Sequence, residues 1–421
     1  MAAEDVSKKD TQETCETGLE REIGGKLLAI YGAGTILGAG IYVLIGKIIG
    51  EAGLWTPLAF LLAAAVAAVN GMVYAELTTR TRGAGGPTGY VSKAFDERWF
   101  SVVIGWMIVT TGVVSAATIT TGFSSYLNSF FEVAPWISKT AVVLGVGLVA
   151  ALGAKESAWF MAITTTAGVA GLVFVIWLGF TNDGSQSPAN LGEYLSSLPP
   201  IGNAAILTGV LSAAFLAVYS FIGFEDMVHM AEEVKKPSES IPFAIAVALG
   251  VAALMYVAVS LASLMIMTPA ELDQAAAPLV EVAKKAGYPG WPLAILSLWI
   301  ILNGALAQIV MCSRVIYSLR KHDGAPPFLV SVNSNTGTPL RATIAVAAVI
   351  LLLALFFPTE TLASATSFIM LLIFMVSNAA LIVLERRDPD AAFDVPKFLP
   401  WVGLILSAGL VLGQFFFAGG H

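Results

Sequence analysis

The stretch GAGTILGAGIY, residues 32–42, decides how the first part of this chain folds. It lies inside an apolar block, yet it carries four glycines, Gly32, Gly34, Gly38 and Gly40. A glycine in a helix interior costs roughly 1 kcal/mol relative to alanine. A helix at this position therefore either needs its glycines for close packing or is interrupted by them.

Composition sets the context for this stretch. Of the 421 residues, 57% are hydrophobic and 12% are charged, and the mean hydropathy is +0.80. A water-soluble domain carries about 25% charged residues. Ten long blocks lack Asp, Glu, Lys and Arg, and they cover residues 27–46, 52–75, 99–131, 157–182, 201–224, 240–270, 286–313, 342–359, 361–384 and 398–420.

Each of these blocks is long enough to cross a bilayer as a helix, which takes roughly 20 apolar residues. A shorter block, 140–154, becomes long enough if residues 135–137 join it and Lys139 extends its ammonium to the interface. Backbone groups in lipid must be paired within the segment, and the blocks are too long for barrel strands. The sequence therefore predicts an all-α integral membrane protein with eleven transmembrane helices, called spans 1 to 11 below.

Eleven spans suggest how the chain is divided. Because five is odd, span 6 starts on the opposite face from span 1, as in an inverted five-plus-five repeat with discontinuous first helices. We expect a cytoplasmic tail over residues 1–23 and a transporter core over 24–384. Spans 1–5 then occupy about 24–182 and spans 6–10 about 201–384, and residues 385–421 form a loop and the eleventh helix.

The basic residues predict the orientation. With the N-terminus inside, only Lys47, Lys139, Lys284 and Lys285 of the 22 lysines and arginines fall outside, which leaves eighteen inside. Cytoplasmic loops carry the excess of basic residues. We therefore predict a multi-pass protein of the cell membrane with a cytoplasmic N-terminus and with His421 outside.

Several functional classes are disfavoured. A net charge of -7 without a basic stripe argues against a nucleic-acid partner. The scattered histidines His229, His322 and His421 predict no metal site, and Cys15 and Cys312 predict no disulfide. No nucleotide-binding, zinc-protease or Ser/His/Asp pattern is visible. The sequence indicates neither an enzyme nor a cofactor, and it favours the movement of a small molecule.

Two readings of the glycines remain open. Gly34 and Gly38 form a GxxxG spacing, which allows two membrane helices to approach closely. Alternatively, Gly38 and Gly40 open the helix, so that the amides of the following half-helix bind a carboxylate and the carbonyl of Ile36 meets an ammonium group. Span 6 has a comparable weak point at Gly223.

Motifs along the chain resemble those of the amino acid/polyamine/organocation transporters, from Gly24 to the last span. The segments that carry the resemblance are GTILGAGIY (34–42), RGAGGPTGYVSKAF (82–95), GWMIVTTGVVSAATITTGFSSYL (105–127), YSFIGFED (219–226), AEEVKKPSESIP (231–242), SRVIYSLRKHDGAPP (313–327), TGTPLRA (336–342) and LERRDPDAAFDVPKFLPW (384–401).

The resemblance implies a binding site near the bilayer midplane. The amides of Ala39, Gly40 and Ile41 would hold the substrate carboxylate, and the carbonyls of Ile36, Tyr219 and Ile222, beside Gly223, would meet the ammonium group. Tyr219 stands where a similar antiporter has an aromatic lid, although a packing role remains equally open. Spans 3, 8 and 10 would supply the walls. The wall candidates are Thr110, Thr111 and Asn303, for which interhelical hydrogen bonding is the alternative.

The chain departs from the family pattern in two places. Many relatives carry a lysine in span 5, and Gly168 occupies that position here, which argues against lysine-based proton coupling. The family also usually has twelve spans. Glu225 is either the cytoplasmic end of span 6 or, as the motif implies, an acid at membrane depth that serves in coupling or in binding a cation.

These observations predict a secondary transporter that moves amino acids by alternating access. A polyamine or cationic amino acid exchanger and a transporter-like ligand sensor remain alternatives. The expected partners are an amino acid, the lipid bilayer and, as candidates for coupling, a proton or a counter-substrate.

Overall fold

A computed structural model describes residues 23–81, 86–152, 158–181, 191–332, 338–388 and 391–417. Residues 1–22 of the predicted tail and His421 lie outside this part of the chain. Within it the protein is helical, and the only extended pairing is an isolated bridge between Ile23 and Val234.

The helices follow the apolar blocks, with short helices between some of them. In chain order they are α1 (Gly25–Ile36), α2 (Ala39–Ala52), α3 (Thr56–Thr81), α4 (Gly86–Phe95), α5 (Arg98–Asn128), α6 (Pro135–Ala151), α7 (Ala158–Thr181), α8 (Leu191–Ser197), α9 (Ala204–Phe221), α10 (Phe224–His229), α11 (Pro237–Leu264), α12 (Pro269–Gln274), α13 (Pro278–Lys285), α14 (Trp291–Ser318), α15 (Leu340–Phe356), α16 (Thr359–Arg387) and α17 (Leu399–Phe417).

Eight stretches of the described chain are long and apolar enough to cross a membrane. One of them, Ala39–Thr81, contains both α2 and α3, which a 3₁₀ turn at Gly53–Trp55 separates. The helices α6 and α15 are apolar but shorter. The chain is thus an integral membrane helical protein, as predicted, whereas the number of eleven spans stays a prediction.

Span 1 is broken where the glycines lie. The helix α1 ends at Ile36, and α2 begins at Ala39. Between them Leu37 has a ψ of 27° and Gly38 a ψ of -146°, and neither value fits a continuous helix. We call residues 37 and 38 the first break.

Span 6 is broken in the same way, at a position that requires glycine. The helix α9 ends at Phe221, and α10 begins at Phe224. Ile222 is extended, and Gly223 has a φ of +130°. Only glycine adopts such a φ without strain, because any Cβ would collide with the backbone. We call residues 222 and 223 the second break.

The other glycines of the opening stretch serve close packing. A Cβ on Gly32 would lie 2.0 Å from the sulfur of Met227, and one on Gly34 would lie 2.5 Å from Thr165. Gly38 instead meets only the carbonyl of Thr35 within its own turn. Of Gly34 and Gly38, the pair that could have served helix packing, only Gly34 packs against another helix, and Gly38 lies in the first break.

Hydrogen bonds hold the two breaks side by side. The Thr35 hydroxyl lies 3.1 Å from the Gly223 carbonyl and 2.9 Å from the Gly32 carbonyl of its own helix, and its one proton is shared between these two acceptors. The Tyr256 hydroxyl of α11 lies 2.6 Å from the Ile36 carbonyl and 2.8 Å from the Ser220 carbonyl. Since a phenol carries one proton, it donates to one of these carbonyls at a time. The two breaks are therefore parts of one site.

The last helix is joined to the core by polar side chains. The Asn378 amide donates to the Asn70 side-chain carbonyl at 2.6 Å, and the Asn70 amide donates to Ser407 of α17 at 3.3 Å. All three residues are buried. These contacts dock α17 against α3 and α16.

Candidate substrate site

A cavity of about 140 Å³ lies at the two breaks. A single buried water needs only about 10–15 Å³, so the cavity can hold a small organic molecule. Seven of the residues predicted from the sequence line it: Ile36, Ala39, Gly40, Tyr219, Ile222, Gly223 and Asn303. These residues come from spans 1, 6 and 8, and the fold brings them together around one space.

Other predicted residues are not part of the lining. Ile41 is buried but does not border the cavity. Thr110 is exposed, and its hydroxyl donates to the Trp106 carbonyl, whereas Thr111 donates to Met107. Both bonds lie within α5, so the described part of the chain shows these threonines neither in the cavity wall nor in the interhelical hydrogen bonds that were the alternative.

The wall also differs from the expected helices. Span 3 contributes Ser115 and Ile119, one to two turns beyond the predicted threonines, because those positions face the breaks. Thr164 and Thr165 of α7 form a wall that the sequence analysis did not anticipate. No described residue of α16 lines the cavity, so the expectation for span 10 was wrong for this wall.

The first break presents backbone N–H groups to the cavity. Ala39 and Gly40 open α2, and the first amides of a helix lack intrahelical acceptors. The preceding residue, Gly38, has no side chain with which to cap them. Unpaired amides at a helix N-terminus, together with the positive end of the helix dipole, favour an anionic group such as a carboxylate.

Two of the three carbonyls expected to meet an ammonium group, those of Ile36 and Tyr219, already have protein partners. The Ile36 carbonyl lies 2.6 Å from the Tyr256 hydroxyl, and the Tyr219 carbonyl accepts from the Ile222 amide at 3.2 Å. Because a carbonyl oxygen has two lone pairs, each of them can accept a second hydrogen bond. A ligand would share these carbonyls with the protein.

Tyr219 is a packed wall residue of the cavity. It is buried, and its hydroxyl lies 3.0 Å from the Ser115 hydroxyl of α5. Its ring lies against the position that a Cβ on Gly40 would occupy. The aromatic ring therefore separates part of α5 from the first break.

Three polar atoms of lining residues lack partners. They are the Ser220 hydroxyl oxygen and the side-chain carbonyl oxygens of Asn303 and Gln308, none of which has a hydrogen-bond partner in the described chain. Ser220, Gln308 and the acidic Asp226 also line the cavity, although they were not predicted from the sequence. The signal for Gln308 was available, because a polar side chain in a membrane span commonly marks a functional position.

Position 168, where many similar transporters carry a lysine, borders the first break. A Cβ on Gly168 would lie 3.2 Å from Ile300 and 3.8 Å from the Leu37 carbonyl. The Gly168 carbonyl accepts from the Tyr42 hydroxyl at 2.6 Å. A glycine here brings no ammonium group to the break.

Glu225 lies at the second break rather than in the cavity wall. Its carboxylate accepts a hydrogen bond from the Gly223 amide at 2.9 Å, within the first turn of α10. The side chain is partly buried, and its neighbour Asp226 borders the cavity. Glu225 therefore stabilises the bent backbone at the second break.

A second charged cluster lies at the far end of α3. Arg80 is buried and pairs with Glu76 at 2.6 Å and with Asp394 at 3.4 Å. The carboxylates of Glu76, Asp394 and Glu385 lie within 4.8 Å of one another. Since the guanidinium group already pairs with this cluster, its geometry fits an internal ion-pair network that connects Asp388, Asp394 and Val395 to α3.

The sequence matches known proteins over nearly its whole length. Residues 26–421 match the family model described as amino acid permease. The chain is 28% identical to an uncharacterized transporter of Mycobacterium tuberculosis (strain ATCC 25618 / H37Rv), over 92% of this chain and 84% of that protein.

Two relatives have named substrates. The branched-chain amino acid permease BcaP of Bacillus subtilis is 26% identical, over 94% of this chain and 89% of the relative. The vacuolar cationic amino acid transporter 4 of Arabidopsis thaliana is 27% identical, over 88% of this chain and 64% of the relative. With the family match spanning the broken helices and the cavity, the chain belongs to the amino acid permease family.

Proposed function

We propose that this protein is a secondary active transporter that moves amino acids across the membrane by alternating access. The observation that carries the proposal is the cavity bordered by both helix breaks. The amides that open α2 supply a binding group for the carboxylate, and the carbonyls of Ile36, Tyr219 and Ile222 supply acceptors for the ammonium group. A zwitterion satisfies both poles without a cationic side chain.

The architecture follows from the same proposal. We expect eleven spans, of which 24–182 and 201–384 form an inverted repeat, with 385–421 as an added loop and helix. The N-terminus is expected on the cytoplasmic side. In such folds the substrate sits near the bilayer midplane, and the two sides open in turn around it.

Glu225 is the candidate coupling residue, through proton binding or through exchange against a counter-substrate. Its hydrogen bond to the Gly223 amide links its state to the shape of the second break. The Glu225→Gln variant keeps an acceptor for that amide and removes the charge. We expect it to fold and to lose the pH dependence of uptake. Uptake that varies with pH as in the wild type would make Glu225 a purely structural residue.

The direct test is uptake of labelled amino acids into liposomes that contain only this protein, with empty liposomes as the control. We expect accumulation that saturates and that unlabelled amino acid competes away. Binding without uptake would favour the ligand sensor.

A polyamine or cationic amino acid exchanger is the second candidate, because Asp226 borders the cavity. A thermal-shift series separates the two, since a ligand that binds only the folded state raises its stability. Stabilisation by amines that lack a carboxylate, and not by amino acids, would favour the polyamine reading and argue against the role of the α2 amides.

A further inference from the structure

The cavity wall formed by α14 carries unmatched hydrogen-bond acceptors. Ile300, Gly304 and Ala307 recur at helical spacing along this wall, and Asn303 and Gln308 lie on the same face. The side-chain carbonyl oxygens of both polar residues lack partners among the described atoms, although the Asn303 amide nitrogen donates to Thr164 at 3.3 Å. Asn303 and Gln308 are five positions apart, which corresponds to about 7.5 Å along the helix axis. This distance is comparable to the length of a long amino acid side chain.

The neighbouring helix α5 leaves space for the side chain of Gln308. Its side-chain oxygen lies against α5, where a Cβ on Gly112 would come within 3.0 Å of it. The absence of a side chain at Gly112 therefore leaves room for the amide. Because the terminal torsion of a glutamine side chain is soft, the amide can turn toward a ligand without disturbing the helix.

The charged residues of the cavity lining also favour a substrate side chain that donates hydrogen bonds. Among the described residues that border the cavity there is no lysine, arginine or histidine, and Asp226 is the acid. The Ser220 hydroxyl at the second break also lacks a partner, and it is buried. An acidic substrate side chain would meet no cation here, and a purely apolar one would leave the buried acceptors unsatisfied, which costs about 1–3 kcal/mol for each.

We infer that this transporter prefers amino acids whose side chains end in hydrogen-bond donors, and that the side-chain oxygens of Gln308 and Asn303 accept hydrogen bonds from that donor. The inference rests on the proposed function and adds the substrate class. It separates this chain from a branched-chain permease, although one relative carries that name. In this arrangement the α2 amides and the break carbonyls bind the common head of the amino acid, and α14 selects the side chain.

Asparagine and leucine provide a matched pair for the test, because their side chains have the same branched shape and differ in hydrogen bonding. Lysine and norleucine form a second pair, which differs by the terminal ammonium group. Inhibition constants against one labelled substrate are measured with purified full-length protein in liposomes. We expect asparagine to bind about tenfold or more tighter than leucine, and lysine tighter than norleucine, as expected for one unmatched buried acceptor.

The Gln308→Met variant keeps the length of the side chain and removes the amide. We expect it to reduce the preference for asparagine over leucine by about tenfold, mainly by weakening asparagine. The matched control is Cys312→Ala, one turn further along α14. Cys312 also packs against Gly112 but does not line the cavity, so the control should keep the wild-type preference.

The possible outcomes distinguish a failure of the side-chain preference from a failure of amino acid transport itself. If leucine and norleucine bind as well as asparagine and lysine to the wild-type protein, the side-chain inference is overturned while amino acid transport stands. If the preference is present but unchanged in Gln308→Met, Gln308 is not its reader, and that assignment fails. If no amino acid competes and none is taken up, the proposed function itself fails. The wild-type pairs give an answer even if the variant does not fold.

Discussion

The two helix breaks produce similar shapes by different means. At the first break Leu37 and Gly38 have φ angles of -73° and -81°, values open to any residue, and only their ψ angles leave the helix. At the second break Gly223 has a φ of +130°, which other residues rarely adopt. The first break therefore depends on low helix propensity and on its surroundings, whereas the second depends on one residue without a Cβ.

Each break also fits against the other. A Cβ on Gly40 would lie 3.1 Å from the Cα of Ser220, and a Cβ on Gly223 would lie 3.1 Å from the carbonyl of Thr35. At each contact a glycine on one side allows the backbone of the other side to approach closely. A change at either break should therefore be felt at the other.

The half-helices beyond the breaks are anchored differently. Beyond the first break, the far end of α2 packs under the α12–α13 segment, where Lys47 pairs with Asp273 at 2.8 Å. Beyond the second break, the chain that follows α10 forms backbone hydrogen bonds between Ile23 and residues 233 and 235, at 3.0 and 2.8 Å. The first anchor uses charged side chains and the second uses main-chain groups.

The largest expected effect comes from Gly223→Ala. The added Cβ is strained by the positive φ and meets the backbone of Thr35 and Ile36 within 3.3 Å. We expect a loss of at least about 1–3 kcal/mol in stability and no measurable uptake. The matched control is Gly250→Ala on α11, where a Cβ meets nothing within 4 Å. Equal thermal stability of the two variants would show that the second break does not need its glycine.

A smaller loss is expected from Tyr256→Phe, which removes the hydroxyl group between the two breaks. One buried carbonyl, that of Ile36 or of Ser220, would then lose its donor, which costs about 1–3 kcal/mol. Because those carbonyls shape the cavity, substrate affinity should fall as well. Thermal unfolding and binding are measured together.

Tyr126→Phe is the control for Tyr256→Phe. Tyr126 donates to the Tyr42 carbonyl at 2.8 Å, and it lies outside the cavity lining. We expect it to lower stability by a comparable amount and to leave affinity intact. If both variants lose affinity alike, the hydroxyl group of Tyr256 has no special role at the breaks.

Gly40→Ala tests the first break and should have a milder effect on folding. Gly40 lies in the first turn of α2, so an alanine suits its conformation, but its Cβ would press on Ser220 at 3.1 Å. We expect nearly unchanged thermal stability and a KM raised by about tenfold, because the amides that face the cavity shift. Unchanged KM would mean that the amide of Gly40 does not contact the substrate.

Much of the geometry of the two breaks could be predicted from the sequence. Low charge and block lengths predicted the membrane helices, and the glycines marked candidate positions that lie within one or two residues of both breaks, although they left close packing open as the alternative. The backbone groups at the breaks followed from those positions alone. Helix ends expose the same amides and carbonyls whatever the side chains are.

The walls were harder to predict because they depend on how helices rotate against one another. Thr110 and Ser115 lie five positions apart on α5, and only the packed structure tells which of them faces the cavity. The same holds for Thr164 on α7 and for Gln308 on α14. Tyr256 was missed for a different reason, since nothing in the sequence indicates that its hydroxyl reaches two carbonyls in distant spans.

The smallest expected effect concerns pH and the charged anchor beside α2. Glu271 accepts hydrogen bonds from Lys285 at 2.6 Å and from the Thr268 amide at 2.8 Å, and these contacts lower its pKa from 4.5 to about 2. A carboxyl group with a lowered pKa stabilises the fold above its unfolded pKa, and this contribution disappears as the pH falls from about 4.5 to about 2. We therefore expect the thermal midpoint of Glu271→Gln to lie slightly below that of the wild type at pH 7.

The difference between the two midpoints should shrink through this acid window. It should be small throughout, because the Glu271 side chain is 45% exposed and solvent screens its ion pair. The anchor beyond the second break consists of backbone hydrogen bonds and has no such titration. If the difference between the midpoints instead stayed constant down to pH 2, the charge of Glu271 would not stabilise the α12–α13 segment. The anchors of α2 and α10 would then not differ in their dependence on charge, and the two breaks would differ only in the requirement for glycine at position 223.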